Sequence, residues 1–427
     1  MNLTNGITEL VEAGVISPET AASIRAYYRE KGGQSSNRLF VAFGIIGAVL
    51  VGLGIILVLA HNWDAFSRTV KTYWAFLPLL VGQILGGFVL LKKPVSVAWR
   101  ESSAAFLFFT VGASLSLLSQ IYHLPGELSV FLLTWMLLCL PLIYVMQSSI
   151  TSLLYLIGIT FYAAETSYWT YPGTEAYYYW LLLLSIMPHY YLLGRKNPES
   201  NFMIFHNWIL PLSVIITLGT IAGTVDELMI PAYFSLFGLS YWIGELDFFA
   251  RQKLINNGYT VLGFVGTMVL LLTVSFGWFW EHLRNEDFTW NEVIASPEFL
   301  AAVVLTVLGA SLLVLHLKNK SWKEAKPMGV VFILFIPIFI SGLSSSLSVL
   351  FVNLLVCAIG IFNIRDGGRL NNLGTLNLGL LIIVALVVCR FFDTNLSFIL
   401  RGGLFVLVGI GFIVANFWML KKRKSNE

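Results

Sequence analysis

The side chains best suited to chemistry in this 427-residue chain form two compact motifs, His61-Asn62-Trp63-Asp64 and Gln120-Ile121-Tyr122-His123. Imidazole and carboxylate groups carry protons or ligate divalent metals, and amides supply oriented donors and acceptors. His61, Asn62, Trp63, Asp64, Gln120, Tyr122 and His123 are therefore expected to converge in one outward-facing polar pocket, walled by Trp63 and Tyr122. The plainer alternative makes Trp63 and Tyr122 interfacial anchors, pairs Asp64 with Arg68 one turn on, and leaves each His at a helix end. Two His and one Asp without ligand spacing do not specify a metal, so neither a metal nor another cofactor is expected. A third group, Arg390, Asp393 and Arg401, brackets an outer turn; a guanidinium in a partly dehydrated interface needs an acceptor, and Asp393 is the nearest.

On the opposite side, Glu101 and Glu245 are the candidate inner carboxylates, because ionisable groups near membrane depth are functional candidates by default. Each has a quieter reading. Glu101 suits a helix N-terminus, and Glu245, like Asp247, suits a solvated helix end. His189 and His206 are expected to be packed, hydrogen-bonded imidazoles, and Gln83 and Asn353 to bond across helix interfaces. No H-E-x-x-H, G-x-S-x-G, paired intramembrane Asp or phosphate-cradling glycine loop is present, so no catalytic residue is assigned.

The elements that must hold these groups follow from composition. Hydrophobic residues make up 57% of the chain and charged ones 11%, against roughly 45–50% and about 25% in soluble domains, so most of the chain is expected to be solvated by lipid. Apolar runs of membrane-spanning length recur at about 39–60, 73–91, 103–120, 129–146, 149–164, 177–194, 203–221, 230–248, 257–280, 298–317, 328–341, 345–363, 373–389 and 402–420. The fold class is thus an all-α integral membrane bundle of about 14 transmembrane helices. The weakest of these are the run interrupted by Pro337 and the tight reversal at Gln147-Ser148-Ser149.

Charge tests the count separately, because cytoplasmic loops accumulate Lys and Arg. Threading the runs from an inner N-terminus places 21 of the 26 basic residues inside, leaving Arg68, Lys71, Arg284, Arg390 and Arg401 outside, while the Glu281–Glu298 loop is acidic. Both termini are therefore expected on the cytoplasmic side of the membrane. Trp99, Trp169, Tyr177-Tyr178-Tyr179-Trp180, Trp278, Trp280, Trp290 and Trp418 lie near the expected boundaries and read as interfacial anchors. Glycines such as Gly82, Gly86, Gly402, Gly403, Gly409 and Gly411 suit close helix approach. Cys139, Cys357 and Cys389 fall inside apolar runs with no metal or disulfide spacing.

Residues 1–38 are polar and lack the features of a signal peptide. Ile7, Leu10 and Val11 recur at helical spacing, Gly14 breaks the pattern, and Ser17-Pro18 starts a second helix, giving a short N-terminal cytoplasmic helical hairpin and linker. The bundle then occupies 39–420 and a basic tail 421–427. The hairpin is too short and too poor in basic residues for DNA, so nucleic acid is not an expected partner. Membrane lipids are, together with a cytoplasmic protein docked on residues 1–36.

At Val11-Glu12-Ala13-Gly14-Val15-Ile16-Ser17, Ala60-His61-Asn62-Trp63-Asp64 and Glu101…Gly112…Gln120-Ile121-Tyr122-His123 the chain resembles the bacterial membrane proteins grouped as domain of unknown function 2157. The resemblance covers about the first third; the Arg390…Asp393…Arg401-Gly402 stretch is similar in a less specific way. Related sequences often carry Ala-Asn-Trp where this one has His61-Asn62-Trp63, so Asn62 and Trp63 are the firmer shared residues. The resemblance implies fold and location, and no activity. Helix number, short loops and scattered polar residues favour a transporter or lipid-handling flippase. The alternatives are a non-transporting membrane scaffold or sensor and, less favoured, an intramembrane enzyme.

Overall fold

The computed structural model describes residues 10–24, 65–168, 174–223, 225–285, 289–319 and 326–393, with isolated positions at 7, 43, 50 and between 399 and 417. Every regular element among them is helical. In the first compact unit, residues 1–76, the chain is helical at 10–12, turns through Gly14 at φ +67°, and is helical again at 18–24. Ser17 Oγ accepts the Thr20 amide at 3.2 Å, the N-cap that Ser17-Pro18 implied.

The second unit, residues 77–427, holds the remaining helices, the first of which starts at Arg68 within the first unit. The described helices are α1 (Arg68–Lys92), α2 (Val97–Tyr122), α3 (Leu128–Val145), α4 (Ser149–Ser167), α5 (Tyr178–Lys196), α6 (Asn201–Leu218), α7 (Met229–Gly244), α8 (Asp247–Ala250), α9 (Gly258–Thr273), α10 (Gly277–Asn285), α11 (Trp290–Ala295), α12 (Pro297–Asn319), α13 (Val331–Gly342), α14 (Leu347–Arg369) and α15 (Leu373–Asp393). The apolar runs expected from 73–91 to 373–389 all fall on helices; the run at 39–60, and most of that at 402–420, lies outside the described residues. The protein is a membrane protein with several apolar helices. Seven of the described helices are long and apolar enough to cross a bilayer, or eight if the bent pair α9 and α10 is one span.

Of the helices outside this set, α4 and α7 are among the most enclosed. α4 packs against α2, α3, α5 and α6, and α7 against α9, α12 and α13. Ten of the 19 residues of α4 and twelve of the 16 of α7 are buried. A helix sheathed by other helices need not be apolar all round, so α4 can carry Ser, Thr and Tyr. By contrast α12, with mean hydropathy 2.4, has only 11% of its spanning window buried and faces outward. Two large apolar clusters result, one around α3–α6 and one around α7, α9, α10 and α12–α15.

Several expectations are corrected. The run at 257–280 is not one straight helix: it breaks at Val274–Phe276 and bends by 75°. The freed Val274 carbonyl accepts Trp280 Nε1 at 2.7 Å, and the Ser275 carbonyl accepts Asn353 Nδ2 at 3.5 Å, so the break is satisfied by side chains. Trp280 is accordingly a core residue with no exposed surface, not an interfacial anchor. Tyr179 is likewise buried, its hydroxyl 2.7 Å from Ser213 Oγ. Asn353 bonds across an interface as expected, whereas Gln83 lies on an exposed face.

The tight reversal between α3 and α4 is present, with Gln147 at φ 46°. Among the glycines singled out, Gly82 does meet Leu107 and Thr110, but Gly402, Gly403, Gly409 and Gly411 meet nothing among the described residues. The close crossings use Gly258, Gly263, Gly360, Gly367 and Gly379.

Candidate functional site

Buried polar side chains gather where α2 and α4 begin and α5 ends, beside Arg100 and Lys196. Ser148 is the N-cap of α4: its Oγ accepts the Thr151 amide at 3.2 Å. Glu101, in the second turn of α2 and 4% exposed, completes that cap from a different helix. Its Oε1 accepts the Ser149 amide at 3.0 Å, and its Oε2 accepts the Ile150 amide at 2.9 Å and the Ser148 hydroxyl at 2.5 Å. A carboxylate at a helix N-terminus satisfies orphan amides and opposes the positive end of the dipole. Glu101 thus suits a helix N-terminus, but that of α4 and not its own.

The polar contacts continue along α4. Ser149 Oγ is 3.5 Å from His189 Nε2, and Ser152 Oγ is 3.0 Å from His206 Nε2. His206 Nδ1 lies 2.8 Å from the Phe202 carbonyl and is placed to donate to it, which leaves Nε2 to accept from Ser152. The two imidazoles are 6.2 Å apart, centroid to centroid, and His206 stacks on Tyr190 at 6.0 Å. Tyr190 donates to Asn207 Oδ1 at 2.8 Å, and Asn207 Nδ2 donates to Gln252 Oε1 at 3.2 Å. Further along, Tyr155 meets Ser185 at 3.3 Å, Thr160 meets Ser213 at 2.5 Å, and Ser167 donates to the Thr220 carbonyl at 2.8 Å. From Ser148 to Ser167 one helix therefore carries a ladder of hydrogen-bonded polar side chains, about 28 Å at 1.5 Å per residue.

A pocket of about 250 Å³ opens at the ladder's first rung. Arg100, Glu101, His189 and Lys196 line it, with apolar contributions from Leu192 and Phe202. The three Glu101 bonds hold its carboxylate against α4, and Arg100 Nε is buried with no hydrogen-bond partner among the described residues. Two basic side chains, one of them with a buried, unpartnered Nε, suit an anionic group.

The other expected residues are distributed differently. His61, Asn62, Trp63 and Asp64 lie outside the described residues. Gln120, Tyr122 and His123 are exposed at the far end of α2, where His123 ends the helix at φ 50°. Arg390 donates through Nη2 to Ser275 Oγ at 3.1 Å and sits over the Phe276 ring at 5.1 Å, so it locks onto the break between α9 and α10. Arg401 and the Asp393 side chain lie outside the described residues. Glu245 ends α7 and forms an ion pair of 3.8 Å with Lys326. No group of three potential metal ligands occurs among the described residues.

Sequence reasoning missed two groups. It placed Glu298 in an acidic loop, yet that side chain has no exposed surface: Oε1 accepts the Gly223 amide and that of Val225 at 3.4 Å. It also gave no weight to the serines that open α4, where Ser148, Ser149 and Ser152 at the start of an apolar run were the available signal.

The family model "Predicted membrane protein (DUF2157)" matches residues 8–152, in agreement with the motif resemblance. The matched stretch takes in Glu101, Ser148 and Ser149. No curated protein and no solved structure matches the chain.

Proposed function

We propose that the protein is a lipid-handling transporter of the bacterial inner membrane, which admits an anionic headgroup at the Arg100–Lys196 pocket and passes it along the polar face of α4. The observation that carries this reading is the ladder from Ser148 to Ser167, since hydroxyls along the whole length of α4 offer successive partners to a polar group that lipid tails do not. The test is transbilayer movement of a fluorescent anionic phospholipid in proteoliposomes. The full chain should accelerate movement over empty vesicles, and Arg100→Ala with Lys196→Ala should slow it by about tenfold, the loss of one or two charge-assisted contacts. Movement no faster than in empty vesicles would end the proposal.

A non-transporting scaffold or sensor is the second reading, favoured by the same rungs being already paired, as interhelical glue would be. It predicts anionic lipid bound at the pocket with no movement across the bilayer.

This reading takes about 14 crossings and two cytoplasmic termini, with residues 1–36 free to dock a partner; its support is the division of basic residues. Tags at residues 1 and 427 should report the same cytoplasmic side, and labels between 281 and 297 the opposite one. Termini on opposite sides would require an odd count.

A further inference from the structure

A second cavity, of about 460 Å³, lies among α7, α9, α14 and α15, separate from the Arg100 pocket. Its walls are apolar, including Phe264, Ile359, Phe362 and Leu378. Val265, half exposed at 49%, lines one side. The lining includes opposite charges: Lys326, before the 3₁₀ turn Pro327–Val330, and Asp366, in the last turn of α14. Lys326 is 58% exposed and only loosely held by Glu245 at 3.8 Å. Asp366, half-buried, has no ion-pair or hydrogen-bond partner for its carboxylate among the described residues. Thr260 Oγ1, also on the wall, is buried without a partner.

We infer that this cavity is a binding site for a membrane phospholipid whose headgroup is zwitterionic and carries a primary ammonium, with the phosphate at Lys326, the ammonium at Asp366 and an acyl segment along Phe264, Ile359 and Phe362. Charge complementarity selects the occupant. A cation and an uncommitted anion lining one cavity match a headgroup bearing both signs, and an apolar chamber of this size falls within the range of about 300–1,000 Å³ typical of small-molecule sites. A primary ammonium donates hydrogen bonds to a carboxylate, which a quaternary ammonium cannot, and an anionic headgroup without an amine leaves Asp366 repelled. The site goes beyond the proposed transport route, shares no residue with it, and holds even if nothing is transported.

The test is lipid retention by the full chain, purified in mild detergent, stripped, and re-exposed to equimolar phosphatidylethanolamine, phosphatidylcholine and phosphatidylglycerol before native mass spectrometry. Phosphatidylethanolamine should be retained over the other two by about tenfold, the worth of one charge-assisted hydrogen bond. Asp366→Asn should erase the preference over phosphatidylcholine, and Asp366→Lys should turn it toward phosphatidylglycerol. Val265→Trp, at a half-exposed position on the wall, should lower retention of all three without loss of helicity. Equal retention of the three lipids by the unaltered chain, or a preference unchanged in Asp366→Asn, overturns the inference.

Discussion

Glu101→Ala is expected to be among the most damaging single substitutions in the bundle. The Glu101 carboxylate takes the Ser149 and Ile150 amides and the Ser148 hydroxyl, all at the buried start of the most enclosed helix of its half. Removing it leaves buried donors without an acceptor, at about 1–3 kcal/mol for each. The same change uncouples the start of α4 from α2, so the loss should spread beyond the cap. Glu101→Gln keeps one acceptor oxygen and should fall between the two. Glu127→Ala is the reference: Glu127 is at the N-cap of α3, is exposed and makes no capping bond, and its loss should stay within about 0.5 kcal/mol. Thermal unfolding in detergent, read by the monodisperse fraction, measures all three. Glu101→Ala as stable as Glu127→Ala would show that α4 does not depend on this cap.

The second large effect is steric. A Cβ at Gly263 would stand 2.7 Å from the Phe237 carbonyl and 2.7 Å from the Tyr241 amide nitrogen, so α9 and α7 cross backbone to backbone there. Backbone atoms of a packed helix cannot rotate aside as a side chain can. Gly263→Ala should cost about 1–3 kcal/mol, and Gly263→Leu should prevent the two helices from closing at all. Gly87→Ala meets nothing within 4 Å among the described residues and should be neutral, or stabilising by about 0.5–1 kcal/mol through helix propensity. Parallel purification of the three variants decides the matter. A well-folded Gly263→Leu chain would mean that α7 and α9 are not so closely apposed.

What the sequence determined by itself is what lipid as a solvent imposes. A run of apolar residues long enough to cross, such as 298–317 or 345–363, must satisfy its backbone internally, so its helical state follows without any knowledge of neighbours. The Ser17-Pro18 start after Gly14 and the reversal at Gln147 were legible for the same reason: both are local backbone chemistry. Only the tertiary structure decided which face of each helix meets another. That is why Gly263 and Gly379 are close crossings while Gly409 meets nothing among the described residues, why Trp280 fills a core while Trp278 is exposed, and why a run that reads as one helix breaks at Ser275 once Asn353 and Arg390 are there to bind it. It also decided that Glu101 serves the N-terminus of α4, 48 residues further along the chain, rather than its own helix. A carboxylate and an orphan amide attract through a bond shorter than 3.5 Å, and no spacing in one dimension states which two helices will bring them that close.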